Sequence, residues 1–323
     1  MIIMKHIKKS LFIVLIFTFC LSISCSSNNQ EVLEEEIVEE EEEEEEPDDT
    51  DTPNPKVMTL GTYAHFPKLS NGRADIVTLI NQLNDLNANT YNWLIWQGDK
   101  DWEDLILFLP EAKKHNISVW VTLVPPSESK PITKFNSEPF GKDYIRWSKE
   151  IALLSKVYSS LTALSIDDFN ENLNTYTPEY LGEMIKEIDK VNPNLKFIPC
   201  TYYKYIKPDF AERYASLIDG LLFPYMAHSE VANLKNPDLV ESEITHIRSL
   251  FKEYIPIYID VYSTAHSRLG SSTPEYVEKV IKYGGEYADG VLIYTHPNPS
   301  VVPEKYKIIK DEFARLKEVG KGK

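Results

Sequence analysis

The sequence contains few cysteines, and this scarcity excludes a fold that depends on disulfide bonds. The chain has 323 residues and three cysteines, Cys20, Cys25 and Cys200. The first two lie in an amino-terminal segment that we expect to be processed, and one remaining cysteine forms no internal disulfide. The folded part must therefore be stabilised by its core, in which we expect Cys200 to be a small buried residue.

The sequence also lacks a basic cluster, which excludes an electrostatic nucleic-acid binder. The net charge is −16, and fifteen acidic residues lie between Glu31 and Asp51. Without these residues and without Lys5, Lys8 and Lys9, the net charge is only −4. The folded part is therefore close to neutral, and it carries no signal for an oligomeric state.

Motifs for bound groups are absent as well. There is no glycine-rich phosphate loop and no HExxH pair. His65, His228 and His296 are scattered along the chain, and histidines in such positions more often make hydrogen bonds than bind a metal with a residue such as Asp168. We therefore predict neither a metal nor a cofactor.

No apolar run reaches the roughly 20 residues that span a bilayer. Residues 1–24 instead combine three lysines with the apolar stretch Leu11–Leu21 and a short patch of small residues, which is the layout of a secretory signal. Cys25, preceded by Ser24, resembles the lipidated cysteine of bacterial lipoproteins. A simple secreted protein cleaved nearby is the alternative.

Residues 25–55 contain the acidic block and three prolines. Like charges repel and bury nothing, so this segment is predicted to be a disordered tether. An acidic stretch soon after a lipidated cysteine is similar to the surface-export signal of Bacteroidota lipoproteins. That resemblance implies a protein anchored by lipid in the cell outer membrane and facing the exterior, whereas a plain spacer is equally compatible with the composition.

Residues 56–323 alternate short β-rich runs with helical segments, which predicts parallel strands joined by crossover helices. The length matches the ~250 residues of a single (β/α)₈ TIM barrel. We expect eight strands within residues 57–63, 90–96, 117–124, 161–169, 195–203, 220–226, 255–263 and 290–296. Two helices begin with the same four residues, Thr-Pro-Glu-Tyr, at Thr177 and Thr273, which places threonine at the N-cap.

In such a barrel the active site lies at the carboxyl ends of the strands. The residues there are mainly carboxylates, aromatic residues and amides, a mixture that suits a carbohydrate. The candidate catalytic residues are Asp167, Asp168 and Asp260. The candidate substrate-binding residues are Tyr63, His65, Trp96, Gln97, Asn170, Tyr202, Tyr225, Tyr262, Tyr294 and His296.

Cleavage of a glycosidic bond needs an acid for the leaving oxygen and a nucleophile at the anomeric carbon. In one arrangement, one member of the Asp167–Asp168 pair is the acid and the other orients a substrate acetamido group, which itself attacks. In the other, the pair supplies the acid and Asp260 is the nucleophile. Strand alternation places Tyr258, Asp260 and Tyr262 on one face, towards the barrel mouth.

The apolar strand that ends Ile-Asp-Asp-Phe at Phe169 resembles the fourth strand of the O-GlcNAcase and bacterial hyaluronidase-like glycosidases. This resemblance implies that Asp167 orients an acetamido group and that Asp168 is the general acid/base. Carboxylates after the fourth and seventh strands are also similar to the large clan of retaining barrel glycosidases, although that clan generally uses glutamate.

We therefore expect a surface glycoside hydrolase that acts on an extracellular polysaccharide or glycan. A non-catalytic surface glycan-binding lipoprotein on the same barrel is the alternative, and a shallow aromatic platform would favour it. The longest segment between elements runs from Pro125 to Asp143 after the third strand and is predicted to form a lid or a wall of the site.

Overall fold

A computed structural model describes residues 57–98, 100–227, 232–266 and 268–321. The predicted signal peptide, the predicted lipidation site Cys25, the predicted acidic tether and His228 lie outside the described residues. Among the helices that are described, none is both long enough and apolar enough to cross a membrane.

Eight barrel strands alternate with eight α-helices along the described residues, and a short antiparallel pair of strands, Ala265–His266 and Gly270–Ser271, follows the seventh barrel strand. The strands are β1 (Thr59–Tyr63), β2 (Thr90–Ile95), β3 (Ser118–Leu123), β4 (Leu161–Ile166), β5 (Lys196–Phe197), β6 (Leu221–Pro224), β7 (Ile257–Tyr262) and β8 (Gly290–Tyr294). The helices are α1 (Ile76–Asp85), α2 (Asp101–Lys114), α3 (Tyr144–Val157), α4 (Pro178–Val191), α5 (Pro208–Tyr214), α6 (Val240–Leu250), α7 (Pro274–Tyr287) and α8 (Pro303–Lys321). Every predicted strand region contains one observed strand.

The barrel strands form a single parallel sheet that curls into a barrel. Each strand pairs with its neighbours in the chain except at β5 and β6, which are the two ends of the sheet, and β1 pairs with β8. The seam between β5 and β6 is closed by a parallel bridge between Cys200 and Leu222. Around that bridge the Thr201 N–H donates to the Leu222 carbonyl at 2.8 Å, and the Leu222 N–H donates to the Pro199 carbonyl at 3.0 Å. The predicted (β/α)₈ barrel is thus confirmed.

Strand alternation separates the barrel interior from the layer of helices, as β7 shows. Ile259 faces outward, where a Cβ added to Gly284 of α7 would lie 2.6 Å from its Cγ2 atom. Helix α7 packs this closely because it has glycine there. Tyr258 faces inward and its ring meets that of Trp120 of β3, with the centroids 4.8 Å apart. Asp260, two residues further along β7, shares this inward face.

The two Thr-Pro-Glu-Tyr segments start helices as predicted. The Tyr180 N–H donates to the Thr177 hydroxyl at 3.3 Å at the start of α4, and the Tyr276 N–H donates to the Thr273 hydroxyl at 3.1 Å at the start of α7. Each hydroxyl satisfies one backbone N–H that has no partner within the helix.

Loss of either cap is expected to lower stability. Replacing Thr177 or Thr273 with alanine should lower the free energy of unfolding by about 1 kcal/mol each, as measured by urea denaturation. Serine at the same position keeps the hydroxyl and should keep most of the stability. A serine variant as unstable as the alanine variant would show that the threonine methyl group, not the cap, is responsible.

Candidate active site

A cavity of about 520 Å³ opens at the carboxyl ends of the strands, a size typical of ligand sites. Seven of the eight strands, all except β2, contribute to its wall through their own residues or through the segment that follows them. The lining residues are Tyr63, Glu128, Asp167, Asp168, Glu171, Cys200, Tyr202, Pro224, Asp260, Tyr262, Ala265, His266, Arg268 and Tyr294. All three candidate catalytic residues are therefore in one cavity, together with four of the ten candidate substrate-binding residues.

Hydrogen bonds from neighbouring strands hold the two adjacent aspartates. Asp167 directly follows β4, and the Tyr63 hydroxyl from β1 donates to its Oδ2 at 3.0 Å. Asp168 has a φ of 44°, which lets its own N–H donate to Asp167 Oδ1 at 3.1 Å. The Tyr202 hydroxyl donates to Asp168 Oδ1. The two carboxyl groups are therefore fixed in different directions, towards β1 and towards β5.

The environment of Asp167 favours its neutral form. Burial, followed by the charges of Asp168 and Glu128, raises the pKa of Asp167 to about 8, against hydrogen bonds donated by the Cys200 thiol and by Tyr63. Because two carboxylates side by side repel, the pair holds one proton more readily than none.

Asp260 of β7 is the most enclosed of the three candidate catalytic residues, with 1% of its surface exposed. Its Oδ1 atom has no hydrogen-bond partner among the described residues. Burial, followed by the charge of Asp167, raises the pKa of Asp260 well above its usual range, although the backbone N–H of Val261 opposes this shift. A charged Asp260 is therefore costly while the cavity is empty.

Glu128 lines the cavity and was missed by the sequence analysis. It lies in a single 3₁₀ turn, Pro126–Glu128, within the predicted lid segment. Burial, followed by the charges of Asp168 and Glu171, raises the pKa of Glu128 to about 7. The length of the segment after the third strand was the available signal, but nothing in its sequence distinguished Glu128 from Glu138.

Asn172 fixes this turn beside the aspartate pair. Its Oδ1 accepts a hydrogen bond from the Ser127 N–H at 3.1 Å, and its Nδ2 donates to the Ser127 hydroxyl and to the Asp168 carbonyl, both at 2.9 Å. One buried amide thus joins the loop after β3 to the loop after β4. This connection places the Glu128 turn next to Asp168.

Cys200 is buried, with 1% of its surface exposed, but it is more than a small core residue. Its thiol donates to Asp167, and burial, followed by the charges of Asp167 and Asp168, raises the thiol pKa well above its usual range. The prediction that Cys200 is a small buried residue is confirmed, and its position three residues after the short β5 also places it at the cavity wall.

Tyrosine rings surround the carboxyl groups. Tyr294 contacts Tyr63 and Tyr262 edge to face, with ring centroids 5.3 and 5.2 Å apart. Tyr202, in the segment after β5, completes the group. The cavity therefore combines aromatic surface with acidic groups.

Three of the remaining candidates lie outside the cavity lining, in the loops after β1 and β2. The ring of Trp96 lies 5.1 Å from that of His65 and 4.5 Å from that of Phe135. We call His65, Trp96 and Phe135 the rim aromatic group. Gln97 is exposed and accepts a hydrogen bond from Lys68 Nζ at 2.9 Å.

The other three candidates hold loops and strands in place. Asn170 Nδ2 donates to the Tyr202 carbonyl at 3.1 Å, and its Oδ1 accepts from the Tyr202 N–H at 3.0 Å. The Tyr225 hydroxyl donates to the Asn236 carbonyl at 2.9 Å. His296 is buried between the Thr62 hydroxyl and Gln82, each 2.8 Å away.

Burial lowers the pKa of His296 to about 3, so its imidazole is neutral. No set of three or more histidine, cysteine or acidic side chains in the described parts of the chain is arranged to hold a metal ion. The cavity lining offers carboxyl, hydroxyl and thiol groups for proton transfer and hydrogen bonding.

Comparisons with known proteins agree on the fold. No protein-family model and no curated protein matches the sequence. A GH5_18 protein from Streptomyces cattleya, solved in complex with GlcNAc, has a TM-score of 0.57 and 11% identity, with 80% of this chain and 81% of that chain covered. Pseudomonas stutzeri endoglucanase Cel5A has a TM-score of 0.55 and 8% identity, with 79% and 93% covered.

A further similar structure is the GH2 beta-galacturonidase from Eisenbergiella tayi, bound to galacturonate. It has a TM-score of 0.53 and 14% identity, and 80% of this chain covers 51% of that chain. At such identities the similarity shows the fold alone. The chain has the (β/α)₈ barrel that these glycoside hydrolases share.

Proposed function

We propose that the protein is a glycoside hydrolase that cleaves a glycan by general acid catalysis from the Asp167–Asp168 pair. The observation that carries this proposal is the pair itself, two adjacent carboxyl groups in one cavity, with the pKa of Asp167 raised to about 8. A carboxyl group with this pKa keeps its proton at neutral pH, which a general acid requires. The glycoside hydrolase barrels of similar structure support the same class of reaction.

The proposal assigns the proton to Asp167. Burial and the charge of Asp168 both favour the neutral form of Asp167, whereas the hydroxyl that Tyr202 donates favours a charged Asp168. These roles are the reverse of those implied by the resemblance to the O-GlcNAcase family. Asp167 then donates its proton to the glycosidic oxygen while Asp168 keeps the pair negative.

Asp260 takes the second carboxylate role in this proposal. Cleavage passes through a transition state with positive charge at the anomeric carbon. A charged Asp260 is unfavourable in the empty cavity, but it is stabilised when positive charge develops at the anomeric carbon. The interaction between the two charges is therefore stronger in the transition state than in the ground state, which is what accelerates a reaction. Asp260 lies on β7 and shares the cavity with the pair on β4, as in the two-carboxylate arrangement.

A binding-only protein is less well supported. Binding through stacking would use an exposed aromatic surface, and the rim aromatic group lies outside the cavity lining. Binding also gains nothing from a carboxyl group held neutral near pH 7, whereas acid catalysis does. A panel of polysaccharides and aryl glycosides, assayed for new reducing ends, tests the proposal. Absence of cleavage across the panel, with binding retained, would favour the binding protein.

The pH dependence of the reaction should change when Asp168 loses its charge. The charge of Asp168 raises the pKa of Asp167, so Asp168→Asn should lower the pKa of Asp167. The alkaline limb of the pH–rate profile should therefore shift to lower pH by about one pH unit or more. Wild-type activity should fall as pH rises through about 8, where Asp167 loses its proton. Glu171→Gln removes a charge from the same cavity and is the matched control, which should leave the limb in place.

We further propose that lipid on Cys25 anchors the enzyme in the outer membrane, with the barrel facing the exterior. Cells grown with labelled palmitate should incorporate the label into the wild-type protein. Cys25→Ser should abolish the label, because the variant lacks the thiol to which the lipid is attached. Cys20→Ser is the control and should retain it. Label that persists in Cys25→Ser would indicate a different site of attachment.

A further inference from the structure

The charge of the cavity restricts the sugar that it can hold. Its lining includes five carboxyl groups, those of Glu128, Asp167, Asp168, Glu171 and Asp260, and one guanidinium, that of Arg268. A uronate or a sulfated sugar would add negative charge where carboxyl groups already repel one another. A positively charged group would relieve that repulsion.

The unpartnered oxygen of Asp260 is an independent sign of a missing donor. Asp260 lines the cavity with 1% of its surface exposed, and its Oδ1 has no hydrogen-bond partner within the described residues. Buried carboxyl oxygens without partners are uncommon. A ligand that donates hydrogen bonds and carries positive charge would satisfy this oxygen.

The tyrosines of the cavity suit the same kind of group. Tyr63, Tyr262 and Tyr294 pack edge to face around the acids. Aromatic ring faces are negative and attract ammonium groups, and rings combined with carboxylates form the usual cage for such cations.

We infer that the sugar unit bound in this cavity carries a free ammonium group, as glucosamine and galactosamine residues do. The inference rests on the proposed function for the identity of the ligand as a sugar, while charge, the unpartnered oxygen and the tyrosine cage give the ammonium. An ammonium group has no lone pair with which to attack the anomeric carbon. Attack on the anomeric carbon must then come from a protein carboxylate or from a water molecule that a carboxylate activates, and Asp260 is placed for this role.

Binding of an ammonium group has a proton signature. A cation favours the charged form of Glu128, whose pKa is about 7 in the empty cavity. Protons are therefore released on binding near neutral pH. Calorimetry in buffers with different ionisation enthalpies measures that release directly.

The test is a titration of the purified protein with four free monosaccharides, which present both anomers. Glucosamine, glucose and N-acetylglucosamine differ only at C2, and glucuronic acid adds a carboxylate. Glucosamine, or galactosamine in the parallel galactose series, should bind at least about tenfold more tightly than the neutral sugars and should release protons. Glucuronic acid should bind most weakly.

Two glutamate variants test whether the preference for glucosamine comes from a carboxylate in the cavity or from carboxylates on the protein surface. Glu128→Gln should reduce the preference for glucosamine over glucose about tenfold, whereas Glu183→Gln, on the exposed face of α4, should leave it unchanged. Equal or tighter binding of N-acetylglucosamine, or no binding of either amino sugar, would overturn the inference. If the protein cleaves only N-acetylated or neutral glycans, the inference about the ammonium group is rejected and the proposed hydrolase function is retained. If it binds amino sugars but cleaves no glycan, the inference is retained and the hydrolase function is rejected.

Discussion

Asp167→Asn is expected to slow the hydrolysis of an unactivated glycan about 10²- to 10⁴-fold, the usual contribution of a general acid. The cause is loss of the proton that burial and the charge of Asp168 keep on this residue. Dinitrophenolate leaves without protonation. The variant should therefore keep most of its rate on dinitrophenyl glycosides of the same sugar.

The measurement is kcat/KM across aryl glycosides with leaving groups of increasing pKa. The rate of the Asp167→Asn variant should depend steeply on the leaving group, and that of the wild type only weakly. Asp189→Asn, on the exposed surface of α4, is the matched control for the loss of one carboxylate. An equal loss on all leaving groups would mean that Asp167 positions the substrate and does not donate the proton.

Asp260→Asn is expected to lower activity about 10³-fold, because it removes the charge that stabilises the transition state. The same change should raise the free energy of unfolding by about 1 kcal/mol, since a buried carboxyl group with an unpartnered oxygen is replaced by a neutral amide. Activity and stability should therefore move in opposite directions, as measured by kinetics and urea denaturation.

Azide separates the possible roles of Asp260. In Asp260→Ala, the space left by the carboxylate admits azide, which should restore turnover of an activated glycoside and give a glycosyl azide of inverted anomeric configuration. Rescue with retained configuration would assign Asp260 to acid/base catalysis. Full activity of Asp260→Asn without azide would exclude it from the chemistry and leave the pair and the substrate to act alone.

The barrel was predictable because its strands carry strong local signals. Short apolar runs end on polar residues, and parallel strands bring those ends to one face of the barrel. The same rule brought Asp167, Asp168 and Asp260 into one cavity. In β7 the two-residue period also predicted the inward face that carries Asp260.

The positions of loop side chains were less predictable. Glu128 reaches the cavity only because Asn172 ties its turn to the loop after β4, a contact between residues far apart in sequence. Asn170 and His296 lie near strand ends, as Asp168 and Tyr294 do, yet Asn170 bonds to the Tyr202 backbone and His296 to Thr62 and Gln82. The position of a residue at a strand end predicts that its side chain lies near the cavity. Whether the side chain points into the cavity depends on the backbone conformation after the strand.

Cys200 gives the cavity a natural handle for chemical labelling. It is the only cysteine after residue 25, and its buried thiol, with a raised pKa, is a poor target for general alkylating reagents. An electrophile attached to a sugar that enters the cavity would be held against this sulfur long enough to react. The residue that closes the seam between β5 and β6 would thus report, through a change in mass at one position, which sugars the barrel accepts.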